Sequence, residues 1–375
     1  MKKLGFGLMR LPLLPGEEKK IDLEHLNDMV DYFIEEGFTY FDTAWFYHKE
    51  QSEVAIGKAL VDRYPRDAYT LADKMPIALL NPEGKSPEEK EHELEDYFQK
   101  QLEKTGAGFF DYYLLHSLDA KKFAVAKSYR AYEFLLEKKR QGYVKELGCS
   151  FHDSPEVLED ILSTYKDLDF IQLQINYLDW DHEKIQSKAC YQVARDFGKK
   201  IVVMEPIKGG NLAQIPEKDL EDLKALRPNL SPATWALSFA ASLDGVFMVL
   251  SGMSNLDQMK ENTRAMKDFR PLNPEEMEAL HRVREDLKKS KTIACTECEY
   301  CLTECPQGIP IPSYFAYFNR DKLGLGGDQG RLFANKKEDS TPPSACIACG
   351  ACQEICPQYL PIIDLLKKVD QHFSH

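Results

Sequence analysis

Tyr69-Thr70-Leu71-Ala72-Asp73, an amphipathic stretch over Glu88–Lys104, and then Asp111-Tyr112-Tyr113-Leu114-Leu115 read as one strand–helix–strand unit. The two outer runs are short and rich in aromatic and aliphatic residues, as buried strands are. The middle stretch sets Leu94, Tyr97, Phe98, Gln101 and Leu102 three and four apart, which is one face of a helix. The alternation continues on both sides. Further strands are expected at Leu4–Leu8, Thr39–Asp42, Val144–Gly148, Phe170–Gln174, Lys200–Glu205 and Val246–Leu250. Helical patterns cover Leu23–Glu35, Ala124–Lys139 and Ile185–Phe197. Ser154-Pro155 and Ser231-Pro232 each put an N-cap before a first-turn proline. Eight strands alternating with helices imply parallel pairing through right-handed crossovers, and such units close into a (β/α)8 TIM barrel. A doubly wound sheet is the alternative, but Gly5-Phe6-Gly7 lacks the third glycine of a dinucleotide fingerprint. Asn273–Lys289 reads as one more helix, and Lys288-Lys289-Ser290-Lys291 leads into a cysteine-rich segment. The expected domains are therefore 1–290 and 291–375.

That segment holds one pattern twice. Cys295, Cys298, Cys301 and Cys305 precede Pro306, and Cys346, Cys349, Cys352 and Cys356 precede Pro357. C-x2-C-x2-C-x3-C-P is the run that bacterial two-cluster ferredoxins use for [4Fe–4S] clusters, the fourth cysteine serving the neighbouring cluster. One cluster then takes Cys295, Cys298, Cys301 and Cys356, and the other Cys346, Cys349, Cys352 and Cys305. Disulfides would need an oxidising compartment. The apolar patch after Met1-Lys2-Lys3 is broken by Arg10 and Pro12, unlike a signal peptide. Structural zinc uses paired C-x2-C units and has no need of a third cysteine in each block. Cys149 and Cys190 read as ordinary buried thiols. Pro312–Arg320, between the blocks, looks helical, so a small, mostly helical two-cluster ferredoxin-like domain is expected.

Composition narrows the class. A chain of 375 residues with 43% apolar and 29% charged residues can bury a sizeable core. Its net charge of −13 disfavours nucleic acid and suits a basic electron-transfer protein as partner. No apolar run approaches the roughly 20 residues of a membrane span. Eight thiolates and no membrane segment point to a reducing cytoplasm.

In a barrel enzyme the catalytic groups sit at the C-terminal ends of strands. Asp42 ends the second strand, Lys74 follows the third, His116 follows the fourth, and Tyr47 lies in the loop beyond Asp42. Phe41-Asp42-Thr43-Ala44-Trp45-Phe46-Tyr47 with Glu53 and Gly57-Lys58-Ala59-Leu60, then Asp73-Lys74 and Leu114-Leu115-His116, resembles the aldo-keto reductase family. The resemblance runs on through Gly148-Cys149-Ser150, Gln172-Leu173-Gln174-Ile175-Asn176-Tyr177 and Glu205-Pro206-Ile207-Lys208-Gly209-Gly210. It ends with Ser251-Gly252-Met253-Ser254, Gln258 and Glu261-Asn262, and covers roughly residues 1–285. It implies a catalytic set of Asp42, Tyr47, Lys74 and His116. It also implies cofactor contacts from Ser150, Gln172, Glu205, Pro206, Lys208, Gly209, Gly210, Ser251, Gly252, Met253, Ser254, Gln258 and Asn262.

These residue types suit hydride chemistry. Hydride addition to a carbonyl leaves negative charge on oxygen, which needs a positioned proton donor. A tyrosine of pKa about 10 is a reluctant acid. A nearby Lys74 ammonium should favour the phenolate and make Tyr47 a better donor, with Asp42 holding the lysine and His116 orienting the substrate oxygen. The loops after the seventh and eighth strands bind phosphate in such barrels, where small residues and helix N-termini favour anions. The 254–262 stretch offers only Lys260 as a cation, which leaves NADP(H) and NAD(H) both open. Nicotinamides exchange two electrons and a [4Fe–4S] cluster one, so coupling them calls for a carrier such as FMN, which the same loops can hold. The leading expectation is an oxidoreductase that interconverts a small-molecule carbonyl and alcohol, its clusters serving electron transfer or structure. The alternatives are a flavin-containing, cluster-linked electron-transfer enzyme and a non-catalytic nucleotide-sensing barrel.

Overall fold

The computed structural model describes residues 2–290 and 292–374. Lys291, where the second domain is expected to begin, lies outside them, as do Met1 and His375. Eight parallel strands close a barrel. They are β1 (Leu4–Gly7), β2 (Tyr40–Asp42), β3 (Thr70–Met75), β4 (Phe110–Leu118), β5 (Val144–Phe151), β6 (Phe170–Gln174), β7 (Lys200–Met204) and β8 (Val246–Ser251). Each pairs with the next in the chain, and β1 closes on β8 with Leu4 opposite Val249 and Phe6 opposite Ser251. Every expected strand is present. β3 and β4 run further than expected because Asp73 and Lys74 pair with Tyr113 and Leu114. Lys74 and His116 therefore belong to rigid strand ends rather than to the loops that follow.

Inward side chains fill the barrel, as bulky residues on successive strands must. Tyr40, Ala72, Leu114, Phe170, Val202, Met248 and Leu250 form this core, with Tyr112 and Phe247 packed against it. The Tyr112 ring lies 4.9 Å from Tyr40 and 5.4 Å from Phe170, centre to centre. Gly148 on β5 makes room for the last ring, since a Cβ there would stand 2.6 Å from Phe170.

The helix Pro87–Thr105 starts with a Ser86/Glu89 capping box and stops at left-handed Gly106. Ala124–Lys139, expected as one helix, is two, Ala120–Tyr129 and Ala131–Arg140. Arg130 between them is left-handed at φ +53°, a single-residue break that apolar periodicity does not reveal. A two-stranded ribbon, Leu13–Leu14 with Glu17–Ile21, was not expected either. No helix among the described residues is long and apolar enough to cross a membrane.

The chain divides into two compact units: the residues up to Pro206 with Leu237–Pro271, and Ile207–Ala236 with the residues from Leu272 on. This division does not fall at residue 290. The second unit includes the loop leaving β7 and the helices Glu217–Leu226 and Pro274–Lys289. Arg227 holds Glu276 in a nearly buried two-pronged ion pair within that unit.

Around the cysteines the unit is mostly helical. Tyr314, Phe315 and Phe318 of helix Ile311–Lys322, Phe333 of helix Gln329–Asp339, and Leu366 and Val369 of helix Ile362–His372 make its core. The two cysteine blocks repeat in backbone as well as in sequence. Cys346 follows Cys295 by 51 residues, and the same step relates three pairs of left-handed residues: Glu297 and Ala348, Glu299 and Gly350, Gly308 and Tyr359. It also relates the short helices Tyr300–Glu304 and Ala351–Glu354, and the longer helices Ile311–Lys322 and Ile362–His372. The repeat thus extends well past the ligand spacing.

Gly148→Ala should lower the unfolding free energy by about 1–3 kcal/mol, because the methyl must displace a ring with no room to move. Urea unfolding checks this, and an unchanged midpoint would show that the barrel core tolerates the extra volume.

Candidate functional site

The ends of β2, β3 and β4 bring three charged or titratable side chains together. The Lys74 ammonium donates to Asp42 Oδ1 at 2.6 Å and to the Thr43 carbonyl at 2.6 Å. Both members of this ion pair are almost wholly buried. Burial pushes the Asp42 carboxyl up while Lys74 pulls it back. Lys74 Nζ stands 5.0 Å from the centre of the Tyr47 ring, and the His116 ring meets Tyr47 edge-on at 6.3 Å. The Asp42, Tyr47, Lys74 and His116 side chains therefore converge on one rim of the barrel.

Their electrostatics differ from expectation in one respect. Burial pushes the Tyr47 phenol well above 10, and Asp42, Glu205 and Asp73 push it the same way. Lys74 does not acidify it on balance, since its charge is met by Asp42 at 2.6 Å and the desolvation of Tyr47 prevails. Tyr47 is thus a phenol that keeps its proton through neutral pH. Burial, aided by Lys74, holds His116 well below 6.5, so the imidazole is neutral there. Its Nδ1 is buried with no partner.

Behind Lys74 lies a polar cluster that the sequence reading did not single out. Asp73 Oδ1 accepts the Lys74 backbone N–H at 2.8 Å. Gln101 donates to Asp73 Oδ1 at 2.9 Å, to the Lys74 carbonyl at 3.1 Å and to Glu53 Oε1 at 2.8 Å. The Tyr113 hydroxyl donates to Gln101 Oε1, and Lys104 pairs with Glu53 at 3.0 Å. Burial pushes the Asp73 carboxyl well up, and Glu53 adds to it. The signal was available: Gln101 is a polar residue on the inward stripe of Leu94 and Phe98, where only a satisfied polar group belongs.

The cofactor residues named from sequence fall into three groups. Ser150 and Gln172 lie on β5 and β6, and both are buried. Ser150 Oγ accepts the Ser117 N–H at 2.6 Å, while Gln172 Oε1 is buried with no partner. Such an orphaned acceptor fits a ligand N–H, as the carboxamide of a nicotinamide would supply. Around β8, Ser251 accepts from Asn262 at 3.1 Å, Met253 is buried, and Gln258 accepts the Ser254 N–H at 2.8 Å. Gly252 packs against Arg10, whose carbons a Cβ would meet at 3.3 Å. Arg10, which the sequence reading passed over, thus sets a cation beside a loop otherwise short of them.

The third group follows β7. Glu205 is left-handed at φ +56°, and its carbonyl accepts from Asn176 at 3.2 Å; Pro206 is the last residue before the chain enters the second unit. Lys208, Gly209 and Gly210, expected to cradle phosphate, belong to that second unit, where Lys208 is buried and donates to Gln358 at 3.1 Å. Gly209 lies against Thr296. Lys208 and Gly209 are thus engaged by the cysteine segment, while the space beside Gly210 is open.

Cys305, Cys346, Cys349 and Cys352 line one cavity with Ile309, Ile311 and Leu366. Burial raises the Cys301 thiol, and Cys298, Cys295, Cys356 and Cys352 add to the rise. No three such ligands among the described residues gather tightly enough for a single ion. Zinc–thiolate bonds of about 2.3 Å draw four thiolates within about 4 Å of each other, whereas a cubane spreads them wider.

A model of the aldo/keto reductase family matches residues 3–285, and one of the 4Fe-4S dicluster domain matches residues 294–360. An uncharacterized oxidoreductase of Bacillus subtilis is 25% identical over 308 residues, 77% of this chain and 95% of its own. Among solved structures, an aldo-keto reductase from Bacillus halodurans in its holo form has a TM-score of 0.58 and 25% identity, over 75% of this chain and 91% of its own. An aldo/keto reductase from Klebsiella pneumoniae, solved with NADP and acetate, has a TM-score of 0.59 at 16% identity, over 75% of this chain and 91% of its own. The second likeness is one of fold.

Gln101→Leu strands the Tyr113 hydroxyl in the interior and removes one donor each from Asp73 and Glu53, and should cost about 2–3 kcal/mol of stability. Thermal unfolding at matched pH checks this, and an unchanged melting temperature would mean the cluster behind Lys74 is dispensable.

Proposed function

The chain belongs to the aldo/keto reductase family and carries a 4Fe-4S dicluster domain, and from that premise we propose that it interconverts a carbonyl and an alcohol with a nicotinamide cofactor. The observation that carries this reading is the buried Lys74–Asp42 pair with the Tyr47 ring over the ammonium and His116 beside it. Four unrelated structural roles would not bring these groups to one rim. NADP in a structure of the same fold, and the orphaned Gln172 acceptor, support the cofactor class.

Ser150 and Gln172 would hold the nicotinamide end, and the Ser251–Ser254 loop with Arg10 the anionic end. When bound, the nicotinamide supplies or takes up hydride. The chain's own groups handle the proton. Tyr47 presents its hydroxyl proton to the substrate oxygen as charge develops there. Neutral His116 orients that oxygen by a hydrogen bond without competing as an acid. Lys74, fixed by Asp42 and Thr43, stabilises the phenolate that remains once the proton has left. The eight block cysteines would hold two [4Fe–4S] clusters in the crossed sets, with Ile309, Ile311, Phe315 and Leu366 as an apolar surround.

Tyr47→Phe keeps the ring and removes the donor, so carbonyl reduction should fall about 10²-fold or more with nucleotide affinity nearly unchanged. The pH dependence follows from the two shifts. Tyr47 loses its proton only above pH 10 and His116 gains one only below 6.5, so kcat/KM for reduction should stay level between those limits. Steady-state assays with an aldehyde panel and NADPH check both, and wild-type turnover by the Tyr47→Phe protein excludes it as the acid. Anaerobic assays should find about eight irons and eight acid-labile sulfides per chain. Cys305→Ser should then alter only the cluster held mainly by the second block; loss confined to the first-block signal would show that the ligands are not crossed.

A further inference from the structure

The two halves of the cluster segment are alike in backbone but not in surroundings. Thr296 follows the first ligand of its block and is 1% exposed, while its repeat-mate Ile347 is 59% exposed. Gln358 follows Cys356-Pro357 and is 5% exposed, while its mate Gln307 is exposed. Cys298 is half-buried, while its mate Cys349 is exposed.

One loop meets the first half at Cys295, Thr296 and Gln358. The segment leaving β7 lies on the first half through three contacts of different kinds. Asn211 donates to the Cys295 carbonyl at 2.5 Å. Buried Lys208 donates to Gln358 at 3.1 Å. Gly209, at φ +64°, comes so close that a Cβ would lie 2.1 Å from the Thr296 carbonyl oxygen. Only glycine allows both that conformation and that approach. In the second half Ile347 is 59% exposed, with no comparable cover among the described residues, and exposed Glu304 and Glu354 stand one and two residues from Cys305 and Cys352 in the chain.

We propose that Lys208, Gly209 and Asn211 seat the first cluster against the loop leaving β7, and that the bare face at Ile347 and Cys349 is where a basic one-electron carrier protein meets the second cluster. The loop residues are positioning residues, since they touch the ligand backbone and not the reacting atoms. The open face joins an exposed ligand to an exposed apolar side chain on a chain of net charge −13, which is the chemistry that receives a cationic redox protein. The inference rests on both cysteine sets holding [4Fe–4S] clusters.

Cytochrome c serves as the basic one-electron probe, oxidising the dithionite-reduced holoprotein in a stopped-flow instrument. Ile347→Lys should slow oxidation about fivefold or more at low salt, with the difference shrinking as salt screens it. Ile355→Lys, beside Cys356 of the first set, should leave the rate near wild type. Equal slowing by both, or slowing by Ile355→Lys alone, overturns the assignment. A second measurement needs no variant on that face: a gadolinium chelate should enhance EPR relaxation of the signal assigned to the second cluster by Cys349→Ser more than that of the first. Equal enhancement also overturns it. Gly209→Ala should shift the EPR signal of the first cluster and spare the second, and an unaltered spectrum removes the seating role. Protein with neither iron nor acid-labile sulfide would instead refute the cluster reading itself, an outcome distinct from clusters that are present but ordered otherwise.

Discussion

A charged lysine almost wholly out of water is the constraint around which the barrel's rim is arranged. Lys74 is stable there because Asp42, at the end of the neighbouring strand, and the Thr43 carbonyl just beyond it accept its hydrogen bonds at 2.6 Å. Breaking such a pair leaves an uncompensated buried charge, which costs several kcal/mol. The parallel register supplies the geometry, since it sets Asp42 beside Ala72, two residues before Lys74. Tyr47 and His116 are placed relative to that fixed cation, and their protonation follows from burial around it.

The backbone of Lys74 is held as firmly as its ammonium. Gln101 donates to its carbonyl and Asp73 Oδ1 accepts its N–H. Glu53 and Tyr113 complete the hydrogen bonding of Gln101, Lys104 pairs with Glu53, and Asp73 Oδ2 alone is left without a partner in this group. A polar network in a low dielectric is stabilising only when nearly every member is satisfied. Here it stiffens one strand end, where a small displacement would carry the ammonium away from the tyrosine.

The second unit poses a different physical problem, that of placing two equivalent halves in inequivalent surroundings. A 51-residue repeat builds similar turns and helices twice, and the loop leaving β7 then covers one copy. A glycine at φ +64° and a buried lysine turn a loop of phosphate-binding appearance into a surface that accepts the cysteine segment.

Much of this was legible in the chain. The eight strands follow from local apolar patterning, the cysteine blocks from ligand spacing, and the catalytic candidates from strand-end positions together with a family resemblance. These are short-range signals, which a linear string preserves. The contacts of Lys208 and Gly209 with the cysteine segment were not legible, because glycine next to lysine reads alike whether the partner is a phosphate or a backbone carbonyl far along the chain. Nor was the sign of the Tyr47 shift, since Lys74 acts on it only through what Asp42 leaves uncompensated and through the depth of burial. The sequence by itself determined the barrel, the ligand blocks and the residue types available for chemistry. Tertiary structure alone decided which charges neutralise one another and which of two like halves stays open, because desolvation and coverage depend on residues that only folding brings together.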